Sequence, residues 1–218
     1  MFKTIEKEAE GLFTDKKSKF IANMYYIEGE EEAESRINAI KKKYYDARHH
    51  CYAYRVIQNG QIIARQSDDG EPSGTAGAPM LNILEKQELA NVLVIVTRYF
   101  GGILLGTGGL VRAYSEATNS AIQNSSIVEK DEGYELEIIL NYEDTKDFEY
   151  FCMQNNIKII NKEYTDKIKL SLEVSKEDYE KKVENNLKLN YQNFPAKVVK
   201  NIFITINSKC WKIKENST

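Results

Sequence analysis

A histidine pair, an acid-rich loop and a glycine-rich run carry most of the chemical potential in this 218-residue sequence. His50 placed opposite Asp69 would have the make-up of an oriented general base; the plainer reading is a histidine hydrogen-bonded for structure. Ser67, Ser73 and Thr75 offer hydroxyls, but none sits in the Gly-x-Ser-x-Gly setting of a strained nucleophile. Asp68, Asp69 and Glu71 could hold Mg²⁺ together with phosphate oxygens, or could simply be solvated. Alternation along a strand sends His49 and His50 to opposite faces, which argues against one metal taking both. No metal and no cofactor are expected, and His50 and Asp69 are the only catalytic candidates.

The stronger signal is for an anion. Arg98-Tyr99-Phe100 leads into Gly101-Gly102-Ile103-Leu104-Leu105-Gly106-Thr107-Gly108-Gly109, which precedes a helical pattern. Backbone N–H groups at a helix start attract phosphate or carboxylate. The run is not a Walker loop, because no Gly-Lys-Ser/Thr follows, and it lacks the third glycine of a dinucleotide fingerprint. Close strand–helix packing is an equally good reason for glycine here. The chain prefers lysine, yet five of its six arginines lie between Arg48 and Arg112, where Lys86 is the one lysine. Arginine retained in such a chain points to planar, bidentate contacts. Any one of them could be an internal salt bridge; as a set they point to a functional surface. The candidate anion- or nucleic-acid-binding residues are therefore Arg48, Arg65, Ser73, Thr75, Arg98, Tyr99, Gly101, Gly102, Thr107, Gly108, Gly109 and Arg112.

The elements that must position these residues follow from periodicity. Lys3–Gly11 and Ser18–Ile27 read as strands, and Glu30–Asp46 as a helix with Ala33, Ile37, Ile40 and Tyr44 inward. Acids at its start and lysines near its end suit the helix dipole. Asn59-Gly60 marks a two-residue hairpin between His49–Gln58 and Gln61–Ser67. That turn sets Gln58 opposite Gln61, Tyr54 opposite Arg65 and Tyr52 opposite Ser67; extended, the ladder sets His50 opposite Asp69. His50, Tyr52, Tyr54, Arg65 and Asp69 then share one face, and His49, Cys51 and Arg55 the other. Met80–Gln87 reads as a short helix. Val92–Val96 is a strand buried on both faces, and Leu110–Gln123 is a long helix.

A second unit opens after the polar stretch 129–133. Tyr134–Asn141, Glu143–Asn155, Ile157–Tyr164, Lys167–Val174, Lys176–Leu187 and Lys200–Asn207 give strand-helix-strand-strand-helix-strand, the ferredoxin-like order. This half has no histidine, arginine or glycine cluster. The expected division is 1–130, 134–207 and a loose tail at 208–218 that includes Trp211. Hydrophobic residues make up 42% and charged residues 29%, with a formal net charge of −3. That is an ordinary globular balance, and it excludes a domain-wide basic field for nucleic acid. Cys51, Cys152 and Cys210 share no ligand spacing and read as reduced thiols. The first eight residues lack a signal peptide's apolar core, and no run nears the roughly 20 residues that span a bilayer. A cytoplasmic protein with no membrane contact is expected.

Three strings (Asp46-Ala47-Arg48-His49-His50-Cys51, residues 67–77, and residues 98–110) together resemble the YigZ/IMPACT family. The resemblance covers the first domain to about Ile127, and the second half resembles the bacterial YigZ C-terminal module. It implies an α+β protein. The N-terminal domain would be like the second domain of a small-subunit ribosomal protein and domain IV of elongation factor G. The C-terminal ferredoxin-like domain would be like domain V of that factor. A eukaryotic relative restrains an initiation-factor kinase by competing for its ribosome-associated activator. Those members carry an RWD domain that this sequence does not show, so the role is not transferred. No catalytic residue is established in the family. The expectation is an accessory factor in translation regulation, with RNA, the ribosome or a phosphate-bearing ligand as partner. The alternative is an enzyme acting on a phosphorylated small molecule or nucleotide at the Gly101–Gly109 loop. Oligomeric state is left open.

Overall fold

The computed structural model describes residues 1–155, 157–183 and 197–207. The expected tail, with Cys210 and Trp211, lies outside them, as does the expected end of the last helix at 184–187. Phe2–Glu129 form one compact unit, and Lys130–Ile206 with Met1 form another. The chain is mixed α and β throughout, the α+β class.

The N-terminal unit is built on strands β1 (Phe2–Ile5), β2 (Ala9–Asp15), β3 (Ser18–Tyr26), β4 (His49–Gln58), β5 (Gln61–Ser67) and β6 (Val92–Tyr99). Its helices are α1 (Glu30–Lys43), α2 (Gly77–Lys86) and α3 (Gly106–Gln123). The strand expected at Lys3–Gly11 is two strands. Glu6-Lys7-Glu8 has no alternation, and Glu6 gives its N–H to the Ser126 carbonyl at 2.8 Å. β2 then enters a sheet of order β2-β3-β6-β4-β5, whereas β1 pairs with β7 (Ile127–Leu140).

Central strand β6 is buried from Val92 to Arg98. Val92, Val94 and Val96 pack toward α2 and α3, while Leu93 and Ile95 pack toward Ala33, Ile37 and Ile40 of α1. Each such side chain contributes about 1.5–3 kcal/mol by leaving water. On β2, a Cβ at Gly11 would collide with the backbone of Ala117 and Ala121, so only glycine lets α3 lie this close.

The hairpin register is Gln58↔Gln61, Tyr54↔Arg65 and Tyr52↔Ser67. Asn59 (φ 51°) and Gly60 (φ 75°) both adopt the left-handed conformation that a type I′ turn needs. The ladder stops at Ser67. Asp69 has φ 41° and belongs to the following loop, so the expected His50–Asp69 ladder pair does not exist. Every pairing in this sheet is antiparallel, with Asp15↔Ser18, Lys19↔Tyr99, His49↔Arg98 and Tyr52↔Ser67 in register. Four connections therefore gather at one end: the β2–β3 turn, residues 44–48, residues 68–76 and residues 100–105.

The C-terminal unit comprises β7, a 3-10 turn (Tyr142–Asp144), α3's successor α4 (Thr145–Gln154), β8 (Lys158–Tyr164), β9 (Ile168–Ser175), a helical stretch over 176–183 and β10 (Lys197–Asn207). The sheet order is β1-β7-β9-β8, with β10 also paired to β7, and the run β10-β7-β9-β8 within it is that of a split βαβ unit. Leu136, Ile138, Leu170 and Leu172 pack on Phe148 and Cys152 of α4. The opposite face carries Glu135, Glu137, Lys169 and Glu173.

Each unit has its own core, so residues 1–130 expressed alone are expected to unfold in one cooperative thermal transition. A broad, non-cooperative melt of the fragment would refute its independence.

Candidate functional site

The acid-rich loop between β5 and α2 folds inward around its own carboxylates. Asp68 accepts N–H groups from Gly74 (2.8 Å), Ala76 (3.0 Å) and Gly77 (2.8 Å). Burial alone would raise its pKa; the three N–H donors outweigh that and hold the carboxyl below the ordinary value. Asp69 accepts the backbone N–H of His50 at 2.7 Å and Lys41 Nζ at 3.0 Å. Burial is again overcome, and its carboxyl too lies low. Glu71, with 3% of its side chain exposed, meets Arg98 Nη1 at 2.6 Å and accepts the Tyr114 hydroxyl at 2.8 Å. All three acids serve internal bonds, which leaves none of them poised as a cation ligand or as a solvated loop charge.

Arg98 is likewise not the exposed phosphate contact that its sequence context led one to expect. Its guanidinium is stacked between the rings of Phe20 (5.5 Å) and Phe100 (5.6 Å) while Glu71 holds Nη1. A planar, always-charged group suits that sandwich, and a lysine would not fill it. Behind the pair, Cys51 Sγ approaches the Tyr114 hydroxyl at 3.3 Å. Burial pushes the Cys51 thiol up to about 12 and raises Tyr114 well above the usual phenol range.

The two histidines sit in different surroundings. The His50 ring is buried, with Nε2 donating to the Tyr44 carbonyl at 3.1 Å and Nδ1 3.8 Å from Asp69. That separation is too long for the hydrogen bond an oriented base requires, and the ring serves to tie the end of α1 to β4. His49 is half-buried, and its Nδ1 lies 2.9 Å from the Asp69 carbonyl. A carbonyl only accepts, so Nδ1 carries a proton, and in the neutral tautomer that this bond selects the lone pair is on Nε2. His49 lines an open cleft of about 470 Å³ with Arg48, Arg98, Tyr99, Phe100 and Leu104. Asp46 and Ala47 complete it. The Tyr99 hydroxyl donates to Asp46 at 2.7 Å, and that bond pushes it up to about 12. The sequence reading missed His49 as a cleft residue. Alternation separated the two rings correctly, but only the Tyr44 carbonyl decides which one is occupied.

The Impact N-terminal domain family matches residues 16–122, and a domain of unknown function (DUF1949) matches residues 138–181. The chain is 38% identical to IMPACT family member YigZ of Escherichia coli, over 68% of this chain and 74% of that protein. The chain belongs to the IMPACT family. IMPACT family member YvyE of Bacillus subtilis is 43% identical over 58% of each chain, so this chain spans little more than half of that relative. A crystal structure described as that of a hypothetical protein superposes with TM-score 0.63 and 29% identity, over 91% of this chain and 97% of that one.

In this IMPACT-family chain the remaining expected site residues scatter. Arg65 sits on edge strand β5, where Nε lies 3.5 Å from Glu30, away from the cleft. Thr75 is buried and bonded to the Pro72 carbonyl at 2.6 Å, whereas Ser73 is exposed on the same loop. A Cβ at Gly101 would strike the backbone of Lys17 and Ser18, so this glycine serves close packing under the β2–β3 turn. Gly106, Thr107, Gly108 and Gly109 form the first turn of α3 rather than a loop. Gly102, Gly106, Thr107 and Gly108 are exposed there, and Arg112 is exposed further along the same helix. No helix among the described residues is long and apolar enough to cross a membrane.

Asp68→Ala would strand three backbone N–H groups and is expected to cost about 2–4 kcal/mol at pH 7. Because the native carboxyl titrates low, this stability is full above the unfolded pKa and is lost as pH falls through the folded one. Urea melts from pH 7 down to pH 3 are expected to show the gap between wild type and variant closing toward the acid end.

Proposed function

We propose that this protein is a cytoplasmic accessory factor of translation that binds RNA, free or within the ribosome, through the loop-bearing end of its N-terminal sheet. One observation carries the reading: Lys16, Lys17, Lys19 and Arg48 collect at that end with no ion-pair partner among the described residues. Tyr45 (85% exposed), Leu104 (81%) and Phe100 (55%) stand among them. Asp15 excepted, the acids there are already hydrogen-bonded within the unit. Cations beside exposed aromatics are what a single-stranded nucleic acid engages. The proposed likeness of the two units to a ribosomal-protein domain with elongation factor G domain IV, and to domain V, agrees with this reading and is part of it.

The test is fluorescence anisotropy with a single-stranded RNA across a salt series. The double variant Lys16→Glu, Lys17→Glu is expected to lose at least about tenfold in affinity and to show a shallower salt slope. Unchanged affinity in that variant would remove the reading.

A second reading, an enzyme acting on a phosphorylated small molecule or nucleotide, is favoured by His49, which lines the cleft with Arg48 and Arg98 and whose Nε2 has no hydrogen-bond partner among the described residues. Incubation with nucleotide and phosphorylated-metabolite pools would decide it. Consumption that falls about 10²–10⁴-fold in His49→Gln would replace the accessory-factor reading, and no consumption would retire the enzyme.

A further inference from the structure

We infer that the cleft between the start of β4 and the end of β6 takes one nucleoside-monophosphate unit. This deepens the RNA reading and rests on it. Its volume, about 470 Å³, falls in the range of small-ligand sites. The chemistry of its walls divides as a nucleotide does. Phe100 is covered on one side by the Arg98 guanidinium at 5.6 Å and is otherwise more than half exposed. It offers a base a flat platform with a fixed cation beneath it, and Leu104 extends the apolar wall.

For the phosphate, Arg48 is exposed and has no partner among the described residues. Arg98, buried and held by Glu71 at Nη1, adds positive charge beneath the cleft without being a free ligand itself. The stack on Phe20 and the bond to Glu71 fix Arg98 against the Phe100 ring, so the base platform is backed before any ligand arrives. The third part is a hydroxyl. With Nδ1 committed to the Asp69 carbonyl, His49 Nε2 can accept from a ribose 2′- or 3′-OH. A base enters such a cleft only when unstacked, so single strands are preferred over duplex.

The nucleotide could be free or part of a strand, and one experiment separates these sources. Binding of a 5′-phosphorylated adenosine tetranucleotide is followed by anisotropy, with free adenosine monophosphate as competitor and ribose 5-phosphate as control. Full-length wild type, Phe100→Ala and Arg48→Ala are compared after their thermal midpoints are shown to match. The expected result is displacement by adenosine monophosphate but not by ribose 5-phosphate. Phe100→Ala is expected to lose about tenfold for tetranucleotide and mononucleotide alike. Tetranucleotide binding that adenosine monophosphate does not displace would overturn the cleft and leave the RNA reading standing. Mononucleotide binding without tetranucleotide binding would keep the cleft and overturn the RNA reading. Binding of neither would overturn both.

Discussion

Two opposite charges, each almost sealed from water, meet at 2.6 Å between Arg98 and Glu71, and the loop-bearing end of the N-terminal sheet is arranged around them. Desolvating such a pair offsets most of its attraction, so it is poor evidence of net stability. What it supplies is orientation. Arg98 belongs to the last turn of register in β6, Glu71 to the loop after β5, and the Tyr114 hydroxyl that donates to Glu71 belongs to α3. Because burial keeps Tyr114 protonated, it remains a donor. Removal of either charge would leave the other buried alone, at a cost of about 3–5 kcal/mol, and would untie the loop after β5 from β6.

The same constraint explains why the site lies at an end and not on a face. α1 covers one side of the sheet, and α2 and α3 cover the other, so the continuous apolar strand β6 has no free surface until Tyr99. Chemistry is left to the connections, and there the backbone dictates the detail. Gly101 lets the chain pass beneath the β2–β3 turn, which brings Lys16 and Lys17 beside the exposed residues 100–104. The polar loop opposite is held by Asp68, whose fan of N–H donors replaces an ordinary run of turns.

This division also accounts for what was legible in the residues. The buried strand, the three helices and the Asn59-Gly60 register could be read because each rests on a local period or a local φ requirement. The ladder could not be followed past Ser67, because Asp68 captures donors six to nine residues ahead, and no periodicity records that. Arginine retention singled out a stretch of chain but could not sort its members. Arg55 donates to the carbonyls of Leu84 and Leu89 and Arg98 to Glu71, whereas Arg48 and Arg112 face solvent. Partner identity, not residue type, separates a structural guanidinium from an available one. Glu6 shows the same limit: a strand reading through it was defeated by a distant carbonyl at Ser126.

Charge pairing then distinguishes the two units. On the face of the C-terminal sheet opposite α4, Glu135 and Glu173 stand directly opposite one another, an arrangement that repels. Each is offset by its own lysine, Lys200 at 3.4 Å and Lys158 at 3.0 Å, and Lys169 takes Glu137 at 2.8 Å. A face whose cations are each matched to a carboxylate has little long-range field to offer a polyanion. At the N-terminal loop end Asp68, Asp69 and Glu71 are turned to internal bonds while Lys16, Lys17, Lys19 and Arg48 are left over among the described residues. With a net charge of only −3 over the chain, composition hides this asymmetry. On the RNA reading it favours the N-terminal unit, where the described cations are left over, as the contact.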